Sequence, residues 1–152
     1  MKAIFYFILF FIGIFSIFMT LKDIVTNQYF IEFDNIKSLK YPNKYMETYK
    51  MKVERIFDSD PSSSDSMGKF IEGNLLSDGS HVIIGFYSEN TLNSSLDYQP
   101  VYKSKLTGKY YLKGAPKRYY SGIIRGQYFS IFLKIVSYFI LIFLAYKLIK
   151  YQ

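Results

Sequence analysis

The chain contains no cysteine, no tryptophan and a single histidine, His81, among its 152 residues. The absence of cysteine excludes disulfides, thiolate metal sites and thiol nucleophiles. A single imidazole also excludes a metal site that takes several histidines from one chain. We therefore expect no metal site and no cofactor.

Sequence signatures of the common enzyme classes are missing as well. There is no phosphate-binding P-loop, no G-x-G-x-x-G fingerprint and no G-x-S-x-G elbow. A Ser-His-Asp triad would need His81 as its base, but a lone histidine on a strand is more often a packing or surface residue. Paired carboxylates for glycoside hydrolysis stay open, because their separation in space is not readable here. The sequence predicts a protein without enzymatic activity and without catalytic residues.

One polar loop, DSDPSSSDS, brings three aspartates close together in the chain. A helix–loop–helix calcium site needs a glycine at its sixth position and a glutamate at its twelfth. Ser63 and Lys69 stand at those positions. We expect a solvated acidic loop rather than a metal site; its aspartates are Asp58, Asp60 and Asp65.

Acidic residues are absent from the last part of the chain, after Asp97, although the net charge is +7. Basic and tyrosine residues alternate there, ahead of a second apolar segment. Basic side chains are attracted to anionic lipid headgroups, and tyrosine is favoured at the membrane interface. A basic sheet edge that deters edge-to-edge pairing is the alternative. The candidate headgroup contacts are Lys113, Lys117, Arg118, Tyr119, Tyr120 and Arg125.

Both ends of the chain are strongly apolar. Residues 3–21 carry no charge and would span about 28 Å as a helix, close to the ~30 Å hydrocarbon core of a bilayer. The run is longer than the ~7–15 residues of a cleavable signal, and no small-x-small cleavage site follows it. We expect an uncleaved signal-anchor, transmembrane helix 1 at residues 3–21, and transmembrane helix 2 at residues 128–149.

Lys134 lies inside the second apolar segment. The twelve Leu, Ile, Phe and Val residues around it outweigh its insertion cost of about 3 kcal/mol, so the segment should still span. The lysine either extends toward the nearer interface or meets a partner on the first helix. Small and polar residues recur on one face of each helix, as at membrane helix contacts. The candidate contact residues are Gly13, Ser16, Thr20 and Asp23 on the first helix and Ser130, Lys134 and Ser137 on the second, with Lys134 directed toward Asp23.

The middle of the chain has β character. The segment YKMKVERIF alternates apolar and polar residues, which is typical of a half-buried strand. Asp78-Gly79 and Thr107-Gly108 are hairpin signals, because glycine accepts the positive φ of a tight turn. Residues 22–48 are expected to be a connector with at most one strand, at YFIEF, and residues 114–127 a juxtamembrane segment. Five strands are predicted within a β-domain at residues 49–113, at 49–57, 69–76, 81–87, 100–106 and 109–113.

The predicted fold class is therefore membrane α plus β, with two antiparallel transmembrane helices flanking a small antiparallel β-sheet or β-barrel. Basic residues flank both helices on both sides, so charge counting alone does not set the orientation. The 106 residues from Lys22 to Gln127 exceed the ~60-residue limit of the positive-inside rule, so they can translocate despite their charge. We predict a protein integral to the cytoplasmic membrane, with both termini cytoplasmic and residues 22–127 extracytoplasmic.

This layout resembles that of uncharacterised bacterial two-helix membrane proteins that carry one small extracytoplasmic β-domain. The resemblance covers the architecture, includes no diagnostic motif and implies no site residue. The sequence favours a non-enzymatic accessory or interaction module of the bacterial cell envelope, whose partners are the lipid bilayer and either a second copy or an envelope protein. Nucleic acid is not an expected partner of an extracytoplasmic domain. The alternatives are an immunity-type protein that neutralises a toxin, and a small oligomeric channel or sensor that uses Lys134.

Overall fold

The computed structural model describes residues 2–26, 30–58, 69–86 and 97–150. Residues 59–68, with most of the acidic loop, lie outside these ranges. The chain divides into two compact units, Phe33–Arg125 and the pair Met1–Glu32 with Gly126–Gln152. Its elements are α1 (Lys2–Val25), α2 (Ile31–Lys40), α3 (Pro42–Tyr45), β1 (Met46–Asp58), β2 (Lys69–Leu75), β3 (His81–Phe86), β4 (Tyr98–Ser104), β5 (Tyr110–Leu112) and α4 (Lys117–Lys150).

The five strands form one antiparallel sheet in the order β3-β2-β1-β4-β5. The long strand β1 pairs with β2 on one side and with β4 on the other. The edge strands β3 and β5 approach each other, so the sheet is nearly closed without being a fully hydrogen-bonded barrel. All five predicted strands are present. The sequence predicted either a sheet or a barrel, and the observed sheet is intermediate between the two.

Both hairpins turn where the sequence predicts. Gly79 and Gly108 have φ angles of 69° and 70°, a region that side chains with a Cβ rarely enter. Asp78 supports the first turn, because its carboxylate accepts a hydrogen bond of 3.0 Å from the Ser80 backbone N–H.

A β-bulge interrupts the pairing of β1 with β2 between Val53 and Arg55. Gly73 of β2 pairs with Val53, and a Cβ built on it would lie 2.1 Å from the Lys52 carbonyl oxygen. Only glycine permits this close approach. The bulge places one extra residue, Glu54, in the strand without a partner in the register.

The core of this unit lies against the inner face of the sheet. It is formed by side chains that are at most 1% exposed, with at least one from each strand: Met51, Ile71, Phe86, Val101 and Leu112. Alternate residues of the strands supply these positions because side chains on a strand alternate between its two faces. The predicted alternation of Tyr49, Met51 and Val53 agrees with this packing.

Residues 31–40 form a helix, α2, which corrects the expectation of a strand at YFIEF. Asn35, Ser38 and Leu39 are spaced for one helical face, and all three are buried. The Ser38 and Ser104 hydroxyls are 2.8 Å apart, and the Tyr111 hydroxyl donates to Asn35 Oδ1 at 3.0 Å. These long-range contacts stabilise a helix that the local alternation of five residues did not indicate.

Most of the predicted juxtamembrane segment, 114–127, lies in the first part of α4, which begins at Lys117 and continues to Lys150. Among the described residues, one helix is long and apolar enough to cross a membrane, at Lys117–Lys147, where the sequence predicts two spans. None of its most apolar window is buried within the protein. The N-terminal helix α1 has 24 residues and the uncharged stretch 3–21.

Helices α1 and α4 run antiparallel within their unit. A Cβ on Gly13 of α1 would lie 3.1 Å from Leu144 of α4, Thr20 contacts Tyr138, and Asp23 contacts Lys134. The residues contacted on α4 decrease in number as the residues of α1 increase, which is the pattern of an antiparallel pair. Many of the large apolar side chains of both helices lie away from this contact and are exposed, as with Phe18 at 65% and Phe139 at 68%.

Candidate functional site

A cluster of charged groups lies where α1, the start of α2 and α4 meet. Lys134 Nζ lies 2.6 Å from Asp23 Oδ2 and 2.8 Å from Glu32 Oε1. Ser130, one turn before Lys134, donates to Glu32 Oε1 at 3.1 Å. Lys134 therefore bridges two carboxylates that come from different helices.

Each helix presents its member of the cluster for a local reason. Ser130 and Lys134 are four residues apart on α4 and so lie on one face. Glu32 occupies the first turn of α2, where the helix dipole favours a carboxylate. Asp23 lies in the last turn of α1, where the dipole disfavours a carboxylate, so its pairing with Lys134 offsets an unfavourable position. The side chains of Lys134, Asp23 and Glu32 are 22%, 15% and 10% exposed, so the three charges are largely withdrawn from solvent.

The cluster has one more negative than positive group, counting Lys134, Asp23 and Glu32 as ionised. Charges withdrawn from water are stable only when they are paired and hydrogen-bonded. Lys134 supplies that pairing for both acids at once. Removing the lysine would leave two carboxylates facing each other across the helix contact.

A cavity of about 230 Å³ adjoins the cluster. Its lining includes Asp23 and Lys134, and Thr20 donates to the Tyr138 hydroxyl at 3.4 Å along the same wall. Ser130 and Ser137 also line it. The small and polar residues that the spacing rules assign to one face of α4 therefore surround one space.

The predicted helix contact residues occupy these positions. Gly13 is buried against Leu141 and Leu144, and Thr20, Asp23, Ser130, Lys134 and Ser137 line the cavity. The side chain of Ser16 lies outside the described part of the protein. Lys134 lies beside Asp23, as in the paired arrangement considered above, and not as a side chain that extends alone to water.

Glu32 is the member of the cluster that sequence reasoning missed. It lies in the segment YFIEF, which the sequence analysis treats as part of a connector without a role for this residue. Acidic residues are common in the first turn of a helix, and Glu32 is the second residue of α2. This signal could be used only if α2 had been predicted from the sequence.

The predicted headgroup contacts divide into two groups in the structure. Lys117, Arg118 and Arg125 are exposed. Tyr119 is 4% exposed and belongs to the β-domain core, so its ring is not available to lipid, which corrects the expectation for that residue. Tyr120 is partly buried, and its hydroxyl donates to the Leu112 carbonyl at 2.6 Å.

Lysines of the sheet lie over tyrosine rings of the same sheet. Lys50 Nζ is 4.6 Å from the centre of the Tyr98 ring, and Lys113 Nζ is 5.4 Å from that of Tyr102. Lys113 also donates to the Thr48 hydroxyl at 3.2 Å. The alternation of lysine and tyrosine thus has a structural role within the domain, since cation–π contacts stabilise its outer surface.

No protein-family model matches this chain, and neither a curated protein nor a solved structure shows significant similarity to it.

Proposed function

We propose that the chain is a two-helix membrane protein whose β-domain lies outside the cytoplasmic membrane and acts by binding, without chemistry of its own. The observation that carries the proposal is the distribution of polarity on α1 and α4. The middle parts of their outward surfaces are apolar and exposed, whereas Asp23 of α1 and Lys134 of α4 meet on the face between the two helices.

The outward surface supports a lipid environment. Large apolar side chains such as Phe7, Phe11, Phe132 and Ile142 are each more than half exposed. Contiguous apolar surface of this kind is avoided in proteins that face water. A bilayer covers it at no cost in apolar hydration, and a second span at α1 gives both helices the same environment.

The inward charge cluster supports a fixed helix pair. Ionisable residues in membrane helices face the interior of the protein and pair with one another. The Lys134 bridge joins α4 to Asp23 of α1 and to Glu32, so it sets the register of the helix pair as well as its stability. In this proposal the pair of helices α1 and α4 anchors the protein in the membrane, and the β-domain binds the partner.

The cysteine-free chain allows a direct test of topology. Ser77 is exposed in the β2–β3 hairpin, so Ser77→Cys introduces the only thiol of the protein at an accessible position. Gln152→Cys is the matched variant at the chain end. The proposal expects a membrane-impermeant maleimide to label Ser77→Cys in intact cells and to label Gln152→Cys only after permeabilisation.

The opposite labelling pattern would place the β-domain in the cytoplasm and refute the proposed orientation. Extraction of the protein from membranes by carbonate at high pH would refute the membrane anchor itself. These two outcomes separate a wrong orientation from a wrong location.

A second candidate function is a small sensor or oligomeric channel that uses Lys134. The observation in its favour is the cavity beside a cluster with an unequal number of charges. Its discriminating experiment is the variant Lys134→Leu, which would abolish a response to pH or ions. In the binding-module proposal the same variant affects only the helix pairing.

A further inference from the structure

Three strands bring potential metal ligands together on the outer face of the sheet. Glu54 on β1, Glu72 on β2 and His81 on β3 each offer one ligand atom, and these atoms all lie within 4.8 Å of one another. His81 is the only histidine of the chain, and no pattern in the sequence associates it with either glutamate.

The bulge in β1 is what places the second carboxylate in this group. Arg55 pairs with Glu72, and Val53 pairs with Gly73, so Glu54 is the extra residue between them. Because a bulge puts two successive residues opposite one, Glu54 and Arg55 both accompany Glu72 on the outer face. Gly73 makes the bulge feasible, since a side chain there would collide with the Lys52 carbonyl.

Neighbouring side chains hold the two carboxylates in place. Arg55 forms an ion pair with Glu72 Oε2, while Glu72 Oε1 lies 2.7 Å from His81 Nε2. Asn74 Nδ2 donates to Glu54 Oε1 at 2.5 Å.

We propose that Glu54, Glu72 and His81 form a binding site for a divalent transition-metal cation of the zinc type. One imidazole nitrogen and two carboxylate oxygens are ligands that zinc accepts, with water completing a fourth position. The imidazole distinguishes this set from the all-oxygen sites that calcium and magnesium prefer. The three ligands lie on adjacent strands of a sheet, and strands position ligands more precisely than loops.

The side chains must rearrange to bind such an ion. Ligand atoms about 2.1 Å from a tetrahedral zinc ion lie about 3.4 Å apart. Separations of up to 4.8 Å therefore shrink by about 1.4 Å, and the 2.7 Å between Glu72 Oε1 and His81 Nε2 widens by about 0.7 Å; rotation of the side chains about their χ angles permits both changes. His81 takes the tautomer with its proton on Nδ1, so that the lone pair of Nε2 is free for the metal.

Arg55 and Asn74 have positioning roles in this site. Arg55 stays on Glu72 Oε2 when Glu72 Oε1 turns to the metal, and Asn74 orients Glu54. Such outer partners typically change metal affinity by about 10–100-fold when removed. The proposal is independent of the membrane topology argued above.

The test uses the full-length chain in detergent micelles, purified without a polyhistidine tag and treated with chelator. Zinc is titrated while calorimetry records the stoichiometry and a proton–carbon NMR correlation follows the imidazole. Since His81 is the only histidine, its ring signals report the site without an assignment experiment. We expect one saturable zinc per chain and a shift of the His81 signals that saturates with it.

Variants separate this site from adventitious binding. Glu54→Gln and His81→Gln are expected to abolish the saturable binding, and Asn74→Ala to weaken it about tenfold. Glu47→Gln is the matched control, because Glu47 is another exposed glutamate of β1 that pairs with Lys105 at 3.7 Å, outside the cluster. It should bind zinc as the parent chain does.

Two results would overturn the proposal. One is an unchanged His81 signal in the parent chain at a saturating zinc concentration, a measurement that depends on no variant folding. The other is saturable binding that survives His81→Gln, which would place the metal elsewhere.

Discussion

Replacing Lys134 by methionine is the sharpest test of the charge cluster, because the substitution keeps the length of the side chain and removes its charge. In the parent chain the lysine lies 2.6 Å from Asp23 and 2.8 Å from Glu32. Removing one partner of a buried ion pair costs about 3–5 kcal/mol, since the remaining charge loses its compensation. The residual exposure of 10–22% places the expected loss at the lower end, about 3 kcal/mol.

The combined variant Lys134→Met, Asp23→Asn and Glu32→Gln distinguishes charge pairing from simple packing. It removes all three charges and keeps the volumes nearly constant. Replacing a whole buried ion network is often neutral or stabilising, whereas breaking it is not. We expect the combined variant to regain most of the stability that Lys134→Met loses.

The assay measures the separation of α1 and α4 directly. Antiparallel pairing puts the start of α1 and the end of α4 at the same end of the helix pair. Because the chain has no cysteine, the double variant Ala3→Cys, Gln152→Cys carries only two thiols, and these take the donor and acceptor dyes. Energy transfer during a titration with a denaturing detergent then gives the free energy of helix separation.

Lys150→Met is the matched control, since it removes a lysine from an exposed position on the same helix. It should leave the separation free energy within about 0.5 kcal/mol of the parent value. The reasoning is refuted if Lys134→Met behaves like this control. It is also refuted if the combined variant is as unstable as Lys134→Met, because the loss would then come from packing.

Three further predictions concern the two units. Gly73→Ala should destabilise the β-domain by about 3 kcal/mol or more, because its Cβ would lie 2.1 Å from the Lys52 carbonyl oxygen; chemical denaturation followed by circular dichroism measures this, and a change below about 1 kcal/mol would contradict the close approach. Gly13→Val should weaken the helix pair in the energy-transfer assay, because its Cβ position is already 3.1 Å from Leu144, with Gly126→Val as the control where nothing lies within 4 Å. Burial raises the pKa of Tyr111 from 10.0 to about 12, so the neutral phenol stabilises the fold fully below pH 10. This contribution, roughly 2–3 kcal/mol, is lost as the pH rises from 10 toward 12. Between these two pH values the denaturation midpoint of Tyr111→Phe should fall less than that of the parent chain, and an equal fall would contradict the effect of burial.

Some features of the fold were predictable because they depend on neighbouring residues alone. The uncharged stretch 3–21 forms a helix, the five alternating segments form strands, and the Asp78-Gly79 and Thr107-Gly108 turns connect them as hairpins. Hairpin pairing follows directly once two strands flank a turn. The order of the strands in the sheet was not predictable in this way, because β1 pairs with β4 across 39 residues of intervening chain.

The candidate sites were less predictable than the elements that carry them. Helical spacing placed Asp23 and Lys134 on facing sides of their helices, but Glu32 joins them only because α2 forms and returns to the same place. Tyr119 was grouped with exposed basic residues, and the long-range packing of the β-domain buries it. Neither outcome has a signature in the residues adjacent to it.

The sequence by itself determined the apolar ends, the β character of the middle and the absence of thiol chemistry, because composition and periodicity act locally. The tertiary structure alone decided which charged groups meet. Lys134 contacts a second carboxylate, that of Glu32, and the bulge opposite Gly73 places Glu54 beside Glu72 and His81. Such contacts depend on the register of the strands and the packing of the helices, which no single segment of the sequence determines.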